Sequence, residues 1–377
     1  MLKKVALAIS ALTLATSAMA ASLPDTPVAF KSGAGAMSNG VIYIGLGTAG
    51  QDWYKIDTKS KTPAWEKIAQ FPGQNRDQAQ AVAVDGKILV FGGVGKATAD
   101  ATRISVSNEV YSYDTKKDEW TLLDTRSPIG LTGHSATTAD GKNVLIVGSV
   151  NKPIFDGFFQ DLEKFAGDKD ALAKLNADYI SKTCADYFFN EYVLSYDVAN
   201  NLWHNLGKMP IGGTAGSALA VDNGVVTVMN GERKPGLRTA KALQFTVDQA
   251  GATFTKIDDV CPADGSKVQD GVAGAFAGSS NDAVLLAGGA NFPGSTVAYE
   301  KGKNFAHEGL TKTWRDEIYA YVDGKWQQAG KLPLPLGYGV TIQNSEELYL
   351  IGGETTGGKP TNQVITLSFE NNKLVTK

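Results

Sequence analysis

The chain has 377 residues, of which 43% are hydrophobic and 20% are charged. This balance is ordinary for a globular protein, and the length is sufficient for one large hydrophobic core or two smaller ones. The formal net charge of −3 provides no electrostatic attraction to nucleic acid or to an anionic membrane surface, so neither is expected as a partner.

The first twenty residues have the three parts of a secretory signal peptide. Lys3 and Lys4 form a positive start, residues 5–15 form an apolar segment, and residues 18–20 read Ala-Met-Ala, a cleavage signal. The apolar segment is shorter than the roughly 20 residues that cross a bilayer as a helix. We therefore expect cleavage after Ala20 and export to a bacterial periplasm, with full secretion as the open alternative. No other stretch of the sequence is suited to span a membrane.

The chain has two cysteines, Cys184 and Cys261. Export permits a disulfide bond, but their separation in sequence says nothing about their distance in space, so the pairing stays open. Their spacing is neither that of a metal motif nor that of a redox pair.

A unit of about 50 residues repeats six times along the rest of the chain. Each copy has a β-branched apolar run that ends at glycine, then a tyrosine-rich strand, and usually a strand that carries tryptophan. The apolar runs occupy residues 41–47, 88–93, 144–149, 225–231, 284–289 and 348–353. The tryptophans are Trp65, Trp120, Trp203 and Trp326, and the fourth copy has Phe254 at this position.

This period matches kelch repeats and predicts an all-β fold, a six-bladed kelch-type β-propeller that forms a single domain over residues 21–377. A four-stranded unit cannot bury both of its faces alone, but radial packing of six units does so, with tyrosine and tryptophan between the blades. The strand that closes the ring has two candidates, residues 23–27 before the first copy and residues 373–376 after the last.

Two segments interrupt the repeat. Residues 151–190 form an insertion in the third copy, and hydrophobic residues recur at roughly helical spacing within residues 160–182. We expect one or two helices there, on the loop face of the third blade, either as a lid over the channel or as a peripheral excursion. Residues 290–317 form a second long loop in the fifth copy. Long loops in compact domains often carry function.

Loops that leave the glycine-ended strands of a propeller converge at its central channel, so a site is expected there. One such loop follows the apolar strand 225–229 and holds a carboxylate, Glu232, and a guanidinium, Arg238. Arginine can fork a carboxylate ligand and glutamate can move a proton, so the pair suits an acidic sugar. The alternative interpretation is an ordinary surface ion pair.

Other polar side chains on the expected loops are candidate substrate-binding residues: Arg76, His134, Asn151, Asn291, His307, Tyr338 and Glu354. Each also has a structural interpretation, such as a local ion pair between Arg76 and Asp77 or a hydrogen-bonded buried position for His134. The three histidines are far apart and lack the spacing of metal ligands. No G-x-S-x-G nucleophile elbow occurs. From these spacings we expect no metal site.

Several longer strings are too unusual to follow from the repeat pattern alone. They read LPDTPV at 23–28, YIGLG at 43–47, RDQA at 76–79, DYFFN at 186–190, NGE at 230–232, KPGLRT at 234–239, DGVAG at 270–274, AHEGL at 306–310 and IGGET at 351–355. These strings resemble the periplasmic N-acetylneuraminate epimerases, also called sialic acid mutarotases. The resemblance runs along the whole chain after the predicted signal peptide.

The resemblance implies a six-bladed propeller that interconverts the α and β anomers of N-acetylneuraminate, a small-molecule substrate, without a cofactor. It implies that Glu232 is the catalytic base and that Arg238 is its partner. Anomerisation opens the sugar ring to the C2 ketone and recloses it on the other face, so it needs a base for the anomeric hydroxyl and an acid for the ring oxygen. The identity of the acid stays open among the candidate residues.

Two other functions stay open on the residues alone. A non-catalytic kelch module could bind a glycan or a protein through the same loops, since a fold does not determine function. A different propeller enzyme, such as a copper oxidase of the galactose oxidase type or a lyase, is the second alternative, although no Tyr, His and Cys set for copper is evident. The oligomeric state, a homodimer included, is also open.

Overall fold

The computed structural model describes residues 22–377, which fold mostly into antiparallel β-sheet. Six sheets have four strands each, and we number them I to VI in chain order. Their strands are Ala34–Ser38, Val41–Gly45, Trp53–Asp57 and Glu66–Ile68 in sheet I; Gln80–Val84, Lys87–Phe91, Glu109–Asp114 and Glu119–Arg126 in sheet II; His134–Thr137, Asn143–Gly148, Tyr192–Asp197 and Leu202–Lys208 in sheet III; Ala218–Asp222, Val225–Met229, Ala242–Asp248 and Gly251–Lys256 in sheet IV; Phe276–Ser280, Ala283–Ala287, Glu317–Val322 and Lys325–Lys331 in sheet V; and Val340–Gln343, Glu347–Ile351, Val364–Glu370 and Lys373–Thr376 in sheet VI.

Shorter elements lie mostly in the loops between the second and third strands of the sheets. The helices are α1 (Lys152–Lys164), α2 (Lys169–Ile180) and α3 (Ser295–Glu300), with 3-10 turns at Gly47–Ala49 and Ala185–Tyr187. The small sheets pair Arg76–Asp77 with Val94–Lys96 and Ile104–Val106, Glu232–Lys234 with Leu237–Arg238, Ala290–Asn291 with Thr313–Trp314, and Glu354–Thr355 with Lys359–Pro360.

The innermost strands of the six sheets contact one another in cyclic order, from sheet I through sheet VI and back to sheet I. Each sheet is therefore a blade, and the closed ring of blades confirms the predicted six-bladed β-propeller. The apolar runs form the second strand of each blade. In Lys87–Phe91, Ile88 and Val90 pack with side chains of blade I, whereas Leu89 and Phe91 pack with blade III. Both faces of the strand are apolar because both are covered by a neighbouring blade.

The blade tryptophans join each blade to the chain segment that precedes it. Each indole N–H donates one hydrogen bond: Trp65 to Pro24 O (2.9 Å), Trp120 to Ala69 O (2.9 Å), Trp203 to Thr125 Oγ1 (3.1 Å) and Trp326 to Asp258 O (3.0 Å). The ring of an indole fills the space between blades while its N–H finds an acceptor. Phe254 of blade IV fills a similar position without that donor, beside Phe245.

Both candidate segments take part in closing the ring. Residues Lys373–Thr376 supply the outer strand of blade VI. The segment after residue 22 runs alongside blade VI, where the N–H of Thr26 donates to Asn362 O (2.8 Å) and the N–H of Phe30 donates to Thr361 O (2.9 Å). The C-terminal segment thus completes a blade, and the N-terminal segment joins blade VI to blade I.

Backbone hydrogen bonds connect neighbouring blades around one end of the central channel, at five of the six junctions. One residue per blade, just before or at the start of the inner strand, has a left-handed backbone conformation: Ser32, Gln78, Gly133, Gly216, Gly274 and Tyr338, with φ between 54° and 67°. Five hydrogen bonds of 2.6 to 3.0 Å join them, from the N–H of Ser32 to Tyr338 O, Gln78 to Ser32 O, Gly216 to Gly133 O, Gly274 to Gly216 O, and Tyr338 to Gly274 O. We call these six residues the mouth ring.

The insertion in blade III is helical, as predicted, but its helices begin earlier than the hydrophobic spacing indicated. Helix α1 starts directly after Asn151, whose side-chain oxygen accepts the N–H of Ile154 (3.2 Å), and Pro153 lies in its first turn. Helix α2 starts after Asp168, which accepts the N–H groups of Asp170 and Ala171. The pair Asn151 and Pro153 is a helix-start signal, which the spacing of hydrophobic residues does not include.

No helix within residues 22–377 is long and apolar enough to cross a bilayer. The predicted signal peptide, residues 1–20, lies outside the described residues. Cys184 and Cys261 both have free thiols in this structure.

The geometry of the mouth ring predicts that a substitution of Gly274 strongly lowers the stability of the fold. A Cβ atom there would lie 2.4 Å from Tyr338 Cδ1, and the backbone φ is +66°. Gly274→Ala therefore combines backbone strain of about 1 kcal/mol with a steric clash that costs roughly 1–3 kcal/mol more. We expect a clear fall in the midpoint of urea unfolding.

Gly141→Ala is the matched control, because Gly141 has φ +70° and no atom within 4 Å of an added Cβ. It carries the backbone strain alone. Equal losses of stability in the two variants would show that the contact with Tyr338 is unimportant.

Candidate functional site

The loop after the second strand of blade IV places a carboxylate beside a guanidinium at the channel mouth. Strand Val225–Met229 ends at Asn230 and Gly231, which both have positive φ and turn the chain. A short hairpin follows, with Glu232 directly opposite Arg238 in register. The backbone of Glu232 also pairs with Ala215, the residue before Gly216 of the mouth ring. The hairpin is therefore fixed to the rim of the channel.

Glu232 and Arg238 are in direct contact. Arg238 Nη1 lies 2.7 Å from Glu232 Oε1, and the same oxygen accepts the backbone N–H of Gly236 (2.8 Å). The side chain of Glu232 is 25% exposed, whereas that of Arg238 is 5% exposed. Despite the short distance, neither Nη1 nor Nε of Arg238 has a well-aligned hydrogen bond to any described residue. A buried guanidinium with unaligned donors is suited to bind an anion that reaches the rim.

The surroundings keep Arg238 charged. Its guanidinium lies 5.1 Å from the ring centroid of Phe292. Burial lowers the pKa of Arg238, but the carboxylate of Glu232 and the phenol of Tyr338 raise it by more. Tyr338 belongs to the mouth ring, so the ring supplies one wall of the guanidinium site.

His307 lies against the turn of the same hairpin. A Cβ atom at Gly236 would overlap the imidazole of His307, so only glycine leaves room for this contact. The imidazole is also packed between Phe292 and Phe305, with centroid distances of 4.7 and 4.8 Å. Burial lowers the pKa of His307, the cations of Arg238 and Lys234 lower it further, and Glu232 opposes them. The imidazole is therefore mostly neutral at neutral pH.

The insertion in blade III brings two tyrosines to the same place. Burial and the charge of Glu232 raise the pKa of Tyr179, on α2, to about 12. Burial, Tyr179 and Glu232 also raise the pKa of Tyr187. Both phenols therefore stay protonated near the carboxylate. Tyr187 donates a hydrogen bond to the carbonyl of Tyr179, which connects the last helix of the insertion to the segment that returns to blade III.

Glu354 occupies in blade VI the position that Glu232 occupies in blade IV. Each pairs through its backbone with the residue before a mouth-ring residue, Gly337 for Glu354 and Ala215 for Glu232. The environments differ, since the Glu354 carboxylate is 8% exposed and contacts Lys31 Nζ (2.8 Å) and Lys312 Nζ (2.7 Å). Burial raises its pKa, but the two lysines lower it by more. Glu354 is a paired, permanently charged group rather than an available base.

Lys312 connects Glu354 to the guanidinium site. Its ammonium lies 4.5 Å from the ring centroid of Tyr338 and 4.6 Å from that of Trp314. Trp314 also donates its indole N–H to Glu354 (3.1 Å). The structure thus brings together Glu232, Arg238, His307, Tyr338 and Glu354 from the predicted set.

Two of the predicted substrate-binding residues make structural contacts outside the site. Arg76 is buried within blade II, where it pairs with Glu109 (3.1 Å), donates to Ser107 (3.0 Å) and lies over the rings of Phe71 and Tyr111. The local partner considered from sequence, Asp77, is not its partner. Asn151 uses its side-chain oxygen to cap α1.

Asn291 and His134 are buried near the site without contacting the catalytic candidates. Asn291 donates to Gly271 O (2.9 Å), and its side-chain oxygen has no partner among the described residues. His134 is 1% exposed, and neither ring nitrogen has a partner among residues 22–377. His134 and Tyr338 both line a cavity of about 220 Å³ in the central channel. Glu232 and Arg238 are not in its lining and lie beside its mouth.

Sequence reasoning missed Lys31, Lys312 and Tyr179. Lys312 and Tyr179 lie in the two insertions, where the repeat assigns no position in space, and no local motif marks them. Within residues 22–377, no group of three or more His, Cys, Asp or Glu side chains is arranged to hold a metal ion.

The burial of His134 predicts a specific pH dependence of stability. Desolvation lowers its pKa from 6.5 to about 3 in the folded protein. Between these values the unfolded chain binds the extra proton, so the free energy of unfolding falls as the pH falls, by up to about 1.4 kcal/mol per pH unit from this group. We expect His134→Gln to reduce the slope of stability against pH in urea unfolding between pH 4 and pH 6.5.

His204→Gln is the control, because His204 is exposed and its loss should leave the slope as in the wild type. If His134→Gln and the wild type had the same slope, His134 would not be the group that titrates on unfolding.

Comparison with known proteins identifies the family of this chain. A profile of the N-acetylneuraminate epimerase family matches residues 23–376. The chain is 47% identical to an N-acetylneuraminate epimerase of Yersinia enterocolitica, over 97% of this chain and 95% of the relative, and 44% identical to one of Salmonella arizonae, over 96% and 94%. A solved structure titled "Structure of YjhT" superposes with a TM-score of 0.89 at 41% identity, covering 94% of this chain and 99% of that one. The chain therefore belongs to the N-acetylneuraminate epimerase family.

Proposed function

We propose that the chain interconverts the α and β anomers of N-acetylneuraminate, with Glu232 as the base and Arg238 as the ligand of the sugar carboxylate. The contact between these two side chains at the channel mouth is the observation that carries the assignment. The family membership and the 44–47% identity to N-acetylneuraminate epimerases support the reaction itself.

The buried donors of Arg238 support its role. A guanidinium matches the planar carboxylate of the substrate with two parallel hydrogen bonds, and its burial strengthens them. The carboxylate is attached to C2, the anomeric carbon. Binding it at Arg238 brings the anomeric hydroxyl to the adjacent Glu232, which is partly exposed and can accept a proton.

The reaction then needs two proton transfers. Glu232 takes the proton of the anomeric hydroxyl, the bond between C2 and the ring oxygen breaks, and the ring oxygen takes a proton to become the C6 hydroxyl. We assign the second proton to the imidazolium form of His307, which lies against the turn that donates to Glu232. A lowered pKa makes this form scarcer but a stronger acid. Rotation about the C2–C3 bond and reversal of both transfers give the other anomer.

The predicted signal peptide suggests where in the cell the enzyme acts. The signal-peptide pattern of residues 1–20 supports export to the periplasm. An exported enzyme of this kind would meet the sugar outside the cytoplasmic membrane.

Glu232→Gln tests the base. The amide keeps the size of the side chain but cannot accept the proton, so kcat should fall by about 10²–10⁴-fold. The measurement is proton NMR of α-N-acetylneuraminate freshly released by a sialidase, following the appearance of the β anomer. Glu308→Gln, in the neighbouring loop, is the control and should behave as the wild type. A Glu232→Gln variant with wild-type kcat would refute the role of Glu232.

Arg238→Lys tests the carboxylate ligand. Lysine keeps the positive charge but lacks the planar fork, so KM should rise about tenfold or more, with a smaller change in kcat. Arg233→Lys, on the same hairpin, controls for the loss of a guanidinium that does not contact Glu232, and its KM should be unchanged. The reverse pattern would assign the carboxylate to Arg233.

A further inference from the structure

A fully buried ammonium lies where the two long insertions meet the catalytic hairpin. Lys234 is two residues after Glu232 on the same short strand, and its side chain is 0% exposed. Lysine is rarely buried to this extent without a carboxylate partner. Burial lowers the pKa of Lys234, and the charge of Asp186 opposes this, but among residues 22–377 no carboxylate lies within salt-bridge distance of its ammonium.

The two insertions share the coordination of this ammonium. The insertion in blade III supplies the carbonyl of Lys182, and the loop in blade V supplies the carbonyl of Asn304 at 2.5 Å. Each also supplies an aromatic ring, Tyr187 at 5.7 Å and Tyr299 at 5.9 Å from Nζ to the ring centroid. Carbonyl oxygens and aromatic faces both attract a cation. The ammonium therefore has both of its hydrogen-bond acceptors only when both insertions are in place.

The same two insertions carry the groups that surround Glu232. Tyr179 comes from the insertion in blade III, and Phe292 and His307 come from the loop in blade V. None of these groups lies on a propeller strand, so the blades alone do not fix their positions. A group that holds both insertions to the hairpin also holds these side chains relative to the carboxylate.

We propose that Lys234 is a positioning residue for the anomerisation reaction, which clamps both insertions to the hairpin of Glu232 and Arg238. This role rests on the proposed function of that hairpin. Lys234 itself does not touch the substrate, because its ammonium is enclosed by the two carbonyls and two rings. Its effect is transmitted through the placement of Tyr179 and His307.

Replacement of a buried cation by an apolar side chain is not destabilising in every protein. Here the two carbonyls of Lys182 and Asn304 would lose their donor. Lys234→Met keeps the side-chain volume near that of lysine but removes the interaction that both insertions share. It is therefore the substitution that tests the clamp.

The test uses the full-length exported protein and three readouts. For Lys234→Met we expect kcat for anomerisation to fall about 10- to 100-fold, with a smaller change in KM. Amide hydrogen exchange should become faster in residues 169–187 and 295–310 together. The pKa of the His307 ring, followed by NMR, should rise, because a neighbouring cation is lost and its enclosure loosens.

Lys152→Met is the control for the loss of a lysine that bonds a backbone carbonyl, at a side chain that is 36% exposed. Lys152 also donates to a backbone carbonyl, Val106 O at 2.5 Å, and it contacts Asp156 at the start of α1, away from the hairpin. Faster exchange should be confined to α1 and its contact with blade II. The pKa of His307 and kcat should stay as in the wild type.

If Lys234→Met does not fold, Lys234→Arg keeps a cation with a wider head. It should accelerate exchange in both insertions and lower kcat by a smaller factor. Either variant with faster exchange but wild-type kcat would overturn the proposal, and so would a loss of kcat without any change in exchange or in His307. A wild-type protein without anomerase activity would refute the proposed function instead. In that case hydrogen exchange and the pKa of His307 would still show whether Lys234 holds the two insertions in place.

Discussion

The mouth ring is the constraint on which the site depends. Six residues in one left-handed conformation turn the chain into the inner strands, and their backbone groups bond sideways to the next blade. This satisfies peptide groups that would otherwise face the channel unpaired. Three of the six are not glycine, at a cost of about 1 kcal/mol or more each for the unfavourable φ. The ring joins neighbouring blades, and the hairpins that carry Glu232 and Glu354 pair with the residues directly before two of its members.

Equivalent positions in the repeat acquire different chemistry from the loops beyond them. Glu232 and Glu354 have the same backbone pairing at the rim. The hairpin of blade IV returns Arg238 to its own carboxylate, whereas Glu354 receives two lysines from other blades. One carboxylate is left partly exposed, with a single cation beside it. The other is saturated and holds Lys312 against Tyr338. The propeller is symmetric in its strands, and its site is asymmetric because its loops differ.

The parts that could be predicted from sequence are those that repeat or that are local. Six glycine-ended apolar runs suffice for the propeller, because each run must be covered on both faces. The pairing of Glu232 with Arg238 was predictable because one short loop contains both. Two of the strings that carried the resemblance to the epimerase family, residues 230–232 and 234–239, form this loop.

The other contacts of the site could not be predicted, because the repeat pattern does not show which loop residues lie close together in space. Arg76 looks available in a loop, but Glu109, which lies opposite it in space, is 33 positions away. The helical insertion was recognised, yet nothing in its sequence reveals that Tyr179 approaches Glu232. Lys312 comes from a loop without regular pattern, and its partner Glu354 is in the next blade. Side chains brought together by insertions can be identified only once the fold is known.

Dissolved salt acts unevenly on the two sides of this site. The lysines around Glu354 are partly open to solvent, with side-chain exposures of 25% for Lys31 and 33% for Lys312. Mobile ions screen such contacts over a Debye length of about 8 Å at physiological ionic strength, but they screen an enclosed pair much less. The side chain of Arg238 is 5% exposed, so mobile ions reach its guanidinium less than they reach either lysine, although its partner Glu232 is 25% exposed. The Lys312 side weakens first, and with it the support for Tyr338. The cation beside Glu232 is therefore better insulated from salt than the two cations beside Glu354.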